Sequence, residues 1–156
     1  MVDKLKYPPD GHRSVAGGVP QFDFRAVKIA DLTTSLNAAT MVVVMLETPR
    51  AIGNAREIAA VPGVDVLLIG TSDLCAEIGI LGQVGDARVE AAYRRVIDAC
   101  RRHGKHPGMG GVYDPPHMEK YVRMGMRFIL SGSDLSLLMA AGKERTGFLR
   151  KAAGEG

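Results

Sequence analysis

Four short apolar runs alternate with amphipathic segments along residues 41–150. The runs at 41–46 and 64–69 are continuous and rich in β-branched residues, which is typical of strands covered on both faces of a parallel sheet. Weaker runs at 105–110 and 128–130 predict two further strands. Alternating strands and helices predict an α/β fold with a parallel sheet and right-handed crossovers. The pattern fits either a small doubly wound sheet or one half of a (β/α)₈ barrel.

Helix-start and helix-stop residues lie between these runs. Thr48 and Pro49 predict the start of a helix that ends near residue 60. The longest predicted helix covers 86–103, where apolar residues recur at three- and four-residue steps, with Asp86 as its N-cap and Gly104 at its end. Shorter helices are predicted over 73–78, from 114 to near 125, and after the turn at 131–134.

Residues 1–40 differ from the rest of the chain because prolines and glycines interrupt them repeatedly. They predict a lead-in segment with one short helix, and residues 41–150 form the predicted α/β domain. The lead-in helix would lie between Phe24 and Leu36, with one apolar side made of Phe24, Val27, Ala30 and Leu36.

Composition narrows the possible partners and location. Aromatic residues make up 5% of the chain and Trp is absent, so stacking platforms for single-stranded nucleic acid are not expected. The formal net charge of +3 is spread along the chain and predicts neither a nucleic-acid nor a membrane partner. No apolar run reaches the roughly 18 residues of a membrane span, and the start lacks the apolar core of a secretory signal. Because Cys75 and Cys100 form no CxxC or zinc spacing, we expect free thiols and a cytoplasmic location.

Two acidic residues follow the first two predicted strands. Glu47 ends the first strand, and Asp73 follows the second about one strand–helix repeat later. In a parallel sheet both would lie at the same rim, where neighbouring carboxylates commonly share a proton or a cation. Oxygen ligands favour hard ions such as Mg²⁺ or Mn²⁺. The alternative is that both residues only cap helices.

Other candidate residues have simpler explanations. Backbone N–H groups after Gly70 suit a carboxylate, although N-capping by Ser72 or Asp73 explains the pattern equally well. The glycine-rich stretch 108–111 lacks phosphate-loop order, and a close-packed strand end is favoured. Arginines in the longest helix predict a solvated face. His106 and His117 show no carboxylate partner in the sequence, and Cys75 predicts a packed thiol.

The segments that carry the two acidic residues resemble a known enzyme family. Val44-Met45-Leu46-Glu47-Thr48 and residues 63–74 are similar to the metal-dependent (class II) pyruvate aldolases of the 4-hydroxy-2-oxoheptanedioate aldolase family, which shares a superfamily with citrate lyase β-subunits. The resemblance continues through residues 6–14, 79–82 and 132–138 and covers almost the whole chain.

This resemblance implies a (β/α)₈ barrel that binds Mg²⁺, Mn²⁺ or a similar ion such as Co²⁺. It implies that Glu47 and Asp73 are the metal ligands and that the backbone at Gly70 and Ser72 contacts the pyruvate carboxylate. This sequence has Thr71 and Ser72 where Pro-Ala is usual in the family, which changes side chains but keeps the N–H group of Ser72.

The resemblance covers only the C-terminal half of such a barrel, whose usual length is about 250 residues. In the family, the first four strands carry a His–Asp base pair and an Arg that binds the enolate oxygen. His12 and Arg13 do not correspond to them, so no catalytic base is assigned. The expected activity is that of a lyase that either cleaves a 4-hydroxy-2-oxo acid into pyruvate and an aldehyde or forms the acid from these two compounds. We expect this activity to be impaired in the short chain. The alternatives are a citrate-lyase-like acyl-CoA lyase and a non-catalytic half-barrel that assembles with a second copy or a complementing chain.

Overall fold

The computed structural model describes residues 1–155 and has one sheet of four parallel strands in the order β1-β2-β3-β4. The register pairs Leu46 with Ile69 and Gly70 with Gly110, so the carboxyl ends of the first three strands meet at one rim. This confirms the predicted parallel α/β sheet. The strands are β1 (Val43–Leu46), β2 (Val66–Gly70), β3 (His106–Gly110) and β4 (Phe128–Ile129).

The helices begin and end largely where local signals predict. Thr48 Oγ1 accepts a hydrogen bond from the Ala51 amide at 3.1 Å, and Gly104 ends the longest helix with a left-handed φ of 64°. The helices are α1 (Val2–Leu5), α2 (Ile29–Ala39), α3 (Pro49–Gly53), α4 (Ala55–Ala59), α5 (Thr71–Glu77), α6 (Ala87–His103), α7 (Pro115–Met124) and α8 (Asp134–Ala152), with a 3₁₀ turn at Pro20–Phe22.

The single helix predicted from Pro49 to near residue 60 is wrong in one respect. It is divided into α3 and α4 at Asn54, whose amide bonds the carbonyls of Arg50 and Ala51. Gly53 and Asn54 are both weak helix formers, and together they interrupt the helix.

The main core lies between the sheet and the helices on one side of it. Leu67, Ile69 and Met109 point to this side and are fully buried with residues of α6. Every residue of β2 is buried, as expected for a strand covered on both faces. The same expectation is wrong for β1, where Met45 is 53% exposed, because β1 is an edge strand.

The lead-in segment forms a small cluster of its own. Leu32 and Leu36 of α2 pack with Tyr7, and all three are buried. The predicted apolar side is therefore only partly right. Phe24 precedes the helix at a φ of 57° and is 69% exposed, and Ala30 is exposed as well.

The last helix, α8, has no buried residues. Ser133 caps it and forms a reciprocal capping box with Ser136. Its apolar residues Leu135, Leu137, Leu138 and Met139 are all exposed. Within residues 1–155, no helix combines the length and the apolar character needed to cross a membrane.

The arginines of α6 lie on its solvated side, as predicted. Arg94 pairs with Glu90 one helical turn away, and Arg101 and Arg102 both pair with Asp98. These pairs neutralise much of the basic cluster within the helix itself.

Candidate active site

The rim of the sheet brings Glu47 against the end of β2. Glu47 directly follows β1, and the pairing of Leu46 with Ile69 places it beside Gly70. A methyl group at Gly70 would lie 2.7 Å from both Cγ and Oε1 of Glu47. The glutamate side chain is half-buried. Gly70 therefore leaves the space that this carboxylate occupies.

The turn after β2 lies against the turn after β3. Ser72 and Asp73 are exposed residues in the first turn of α5. A methyl group at Gly111 would lie 2.6 Å from Ser72 Oγ and 2.9 Å from its backbone nitrogen, and Gly111 has a φ of 79°. Only glycine fits both the conformation and the close approach. Sequence reasoning missed this contact, because a run of glycines does not identify the partner.

The glycine stretch itself is a close-packed strand end, as favoured from the sequence. A methyl group at Gly108 would lie 3.1 Å from the Phe128 carbonyl oxygen, and one at Gly110 would lie 3.1 Å from a methyl of Leu130. The glycines of β3 thus let β4 and its following residue pack closely.

A buried pair of hydroxyls lies beneath the turn after β2, where α5 begins. Thr71 is fully buried, and its Oγ1 is 2.7 Å from the hydroxyl of Tyr93, which is also fully buried on α6. Tyr93 stacks on Tyr121 with ring centroids 4.0 Å apart, and Tyr121 donates its hydroxyl to the Val84 carbonyl at 2.6 Å. Burial raises the pKa of Tyr93, and it raises the pKa of Tyr121 to about 12, so both hydroxyls stay neutral.

The donor atoms at the rim suit a hard divalent cation. Glu47 and Asp73 offer only carboxylate oxygens, and Gly70, which has no side chain, leaves room for the Glu47 carboxylate at the rim. The part of the chain that the structure describes contains no group of three or more His, Cys, Asp or Glu side chains that could hold a metal ion together. A cation here would have two protein side chains at most, with water or substrate in the other positions, which is a usual arrangement for Mg²⁺.

His117 does have a carboxylate partner, contrary to the expectation from the sequence. Its Nδ1 is 2.5 Å from Asp114 Oδ2, and the same carboxylate caps α7 by accepting the His117 amide. The histidine lowers the pKa of Asp114 through this hydrogen bond. The predicted helix start at Asp114 could have identified this pair, because an N-cap residue and the third helical residue lie on the same turn.

Two of the remaining histidines, His12 and His106, lie away from the rim, and both thiols are packed in the core. His12 bonds Asp3 within the lead-in segment, and His106 is exposed at the amino end of β3, away from the rim. Cys75 and Cys100 are free and buried, and burial raises the pKa of both thiols. Cys75 is thus a packed thiol, as predicted.

Residues 1–141 match the sequence model of one family, described as HpcH/HpaI aldolase/citrate lyase. The chain belongs to this family. This finding confirms the resemblance drawn from Glu47, Asp73 and their neighbouring residues.

Curated relatives in the HpcH/HpaI family are named as aldolases. The chain is 40% identical over 151 residues to a 4-hydroxy-4-methyl-2-oxoglutarate aldolase from Hapsidospora irregularis, covering 94% of this chain and 55% of that protein. It is 34% identical over 150 residues to a hydroxypyruvate/pyruvate aldolase from Delftia acidovorans, covering 96% of this chain and 55% of the relative. The chain therefore spans about half the length of the curated relatives that it matches.

Solved structures of the family share the fold. An HpcH/HpaI aldolase from Desulfitobacterium hafniense superposes with a TM-score of 0.80 at 29% identity, over 96% of this chain and 57% of the other. A family protein from Burkholderia cenocepacia gives the same TM-score at 33% identity, over 58% of its length. These matches confirm the prediction of a partial (β/α)₈ barrel with four parallel strands.

Proposed function

We propose that this chain provides the metal- and carboxylate-binding part of an aldehyde-lyase. The reaction would cleave or form the C–C bond of a 4-hydroxy-2-oxo acid, with pyruvate and an aldehyde as the other components. The observation that carries this proposal is the Glu47 carboxylate held against Gly70 at the sheet rim. The names of the aldolase relatives support the reaction class over the acyl-CoA lyase alternative.

Glu47 and Asp73 are the proposed ligands of a divalent ion, Mg²⁺ or Mn²⁺, with Co²⁺ as a further possibility. When bound, such an ion supplies Lewis-acid stabilisation of negative charge on a keto oxygen. The backbone at Gly70 and Ser72 is the proposed contact for the substrate carboxylate. Gly111 supports that role because it lets the Ser72 backbone approach the neighbouring strand end. Oriented backbone N–H groups bind anions without reorganisation, which favours this use of the turn.

Proton transfer to or from the aldol hydroxyl requires a further group, which typically contributes ~10²–10⁴-fold to the rate. The family resemblance implies that the base and the enolate-binding Arg belong to the half of the barrel that this chain does not match. We therefore expect the isolated chain to bind metal weakly and to turn over slowly or not at all.

A second copy or a complementing chain is the proposed partner in assembly. Two features support it: β1 and β4 are both unpaired sheet edges, and the apolar side chains of Met45 in β1 and of Leu130 directly after β4 are 53% and 43% exposed. A monodisperse monomer in light scattering would contradict this part of the proposal.

The free, buried Cys75 and Cys100 support a cytoplasmic location.

Titration with Mn²⁺ in the presence of pyruvate, followed by electron paramagnetic resonance, tests the site. We expect Glu47→Gln and Asp73→Asn each to weaken Mn²⁺ binding at least about tenfold, because each removes one of two charged ligands. Glu77→Gln is the matched control, since Glu77 is an exposed carboxylate on the same helix α5. Unchanged Mn²⁺ affinity in both site variants would refute the proposed function.

Substrate class is tested by comparing two cleavage reactions. We expect any turnover to release pyruvate from 4-hydroxy-2-oxo acids, detected with an NADH-coupled assay, and none with acyl-CoA substrates. Cleavage of acyl-CoA substrates alone would support the citrate-lyase-like alternative instead.

A further inference from the structure

The hydrogen bond between Thr71 and Tyr93 connects the candidate site to the longest helix of the fold. Thr71 lies between Gly70 and Ser72, whose neighbours are Glu47 and Gly111. Thr71 is the first residue of α5, and its side chain points away from the exposed rim into the core. The turn that carries Ser72 and Asp73 is therefore connected to α6 by one buried hydrogen bond between Thr71 and Tyr93.

The Tyr93 hydroxyl is held in a rigid environment. Its ring stacks on Tyr121 at an interplanar angle of 23°, and the Tyr121 hydroxyl is fixed in turn by the Val84 carbonyl. Tyr93 also belongs to the 17-residue helix α6, which packs directly on β2 and β3. Thr71 has a β-branched side chain with few rotamers, so the position of its hydroxyl depends closely on the position of its backbone. The 2.7 Å contact thus joins two groups that have little freedom to move.

We propose that Tyr93 is a positioning residue, which acts through Thr71 to hold the Gly70–Asp73 turn in place for ligand binding. The consequence for ligand binding rests on the proposed function; the positioning itself does not. Each hydroxyl is the partner of the other in a dry environment, and loss of either leaves the other unsatisfied. The turn would then have an alternative position in which the remaining hydroxyl reaches water.

The chain offers a closely matched control for this proposal. Tyr93→Phe and Tyr121→Phe each remove one buried phenolic oxygen and keep the stacked rings. The Tyr93 hydroxyl is hydrogen-bonded to Thr71, whereas the Tyr121 hydroxyl donates to the Val84 carbonyl on the loop before α6. Thr71→Val removes the other hydroxyl of the pair with almost no change in volume, and Thr71→Ser retains it.

The first measurement is a set of ¹H–¹⁵N spectra and amide hydrogen exchange on the 156-residue protein without ligand. In Tyr93→Phe and Thr71→Val we expect shifted resonances for Gly70, Ser72 and Asp73. We also expect exchange in the first turn of α5 to be about tenfold faster, the factor corresponding to one buried hydrogen bond. Thr71→Ser and Tyr121→Phe should leave these signals close to those of the wild type. Unchanged spectra in Tyr93→Phe, or an equal change in Tyr121→Phe, would overturn the proposal.

The second measurement is Mn²⁺ affinity with pyruvate present. We expect Tyr93→Phe and Thr71→Val to weaken Mn²⁺ binding about tenfold, within the range seen when groups that orient metal ligands are removed. Tyr121→Phe should bind as the wild type does. If the spectra change while Mn²⁺ affinity does not, the link to ligand binding is overturned. If the wild type binds no Mn²⁺, the proposed function fails, and the spectra alone still decide the positioning role.

Discussion

Substitution of Gly70 by Ala tests the space that the Glu47 carboxylate occupies. The added methyl group would lie 2.7 Å from Glu47 Cγ and Oε1, whereas ordinary van der Waals contact begins near 3.4 Å. The carboxylate must therefore move by about 0.7 Å or more. Protein metal sites tolerate deviations of about 0.2 Å in ligand distance, so this displacement should cost about 10–100-fold in Mn²⁺ affinity.

Stability should change much less than affinity in Gly70→Ala. Gly70 has a φ of −80°, which alanine adopts without strain, and the flexible glutamate can move toward solvent. The lower chain entropy of the unfolded variant even favours folding by ~0.4–1 kcal/mol. Thermal denaturation and Mn²⁺ titration on the same samples separate the two effects.

Gly53→Ala is the control, because a methyl group at Gly53 in α3 meets no atom within 4 Å. It should bind Mn²⁺ as the wild type does. If Gly70→Ala folds and binds Mn²⁺ with wild-type affinity, Glu47 does not bind the metal from the position beside Gly70.

Three further predictions concern the core, the thiols and acid stability. Leu67→Ala in the fully buried β2 should lower the free energy of unfolding by about 2–5 kcal/mol in urea titrations, whereas Leu81→Ala, at a site 74% exposed, should change it by less than about 0.5 kcal/mol. Burial raises the pKa of Cys100 to about 11, so neither Cys100 nor the buried Cys75 should react with Ellman's reagent near pH 8 until the protein is unfolded. Because an unfolded thiol ionises at a lower pH than the buried Cys100, the free energy of unfolding should fall as the pH rises from about 9 to about 11. Hydrogen bonds from Arg88 lower the pKa of Asp86 to about 2. The melting temperature of the wild type should therefore exceed that of Asp86→Asn above about pH 4, and the difference should disappear as the pH falls toward 2. A difference that stays constant with pH would contradict this account.

Local signals were sufficient for most of the secondary structure. Asp86 and Gly104 mark the two ends of α6 because capping depends on residues within one turn of the helix end. The sequence also predicted that β1 and β2 end at one rim, because consecutive strands of a parallel sheet end on the same side. The contact of Glu47 with Gly70 at that rim was visible only in the structure.

Contacts between distant residues were not predictable in the same way. Thr71 and Tyr93 are 22 residues apart, and no periodicity links a helix start to a position in the next helix. The fit of Gly111 against Ser72 depends likewise on how two turns approach one another in the folded sheet. The exposure of Met45 depends on which strand lies at the sheet edge, and an apolar run reads the same at the edge and in the centre.

The stacked tyrosines give the protein a built-in optical probe. The chain contains no Trp, so its ultraviolet emission comes from four tyrosines, of which Tyr7, Tyr93 and Tyr121 are buried and Tyr113 is 62% exposed. Because the Tyr93 hydroxyl bonds Thr71 beneath the rim, its fluorescence should respond to any shift of that turn. Events at the rim are therefore open to direct spectroscopic observation without an attached dye.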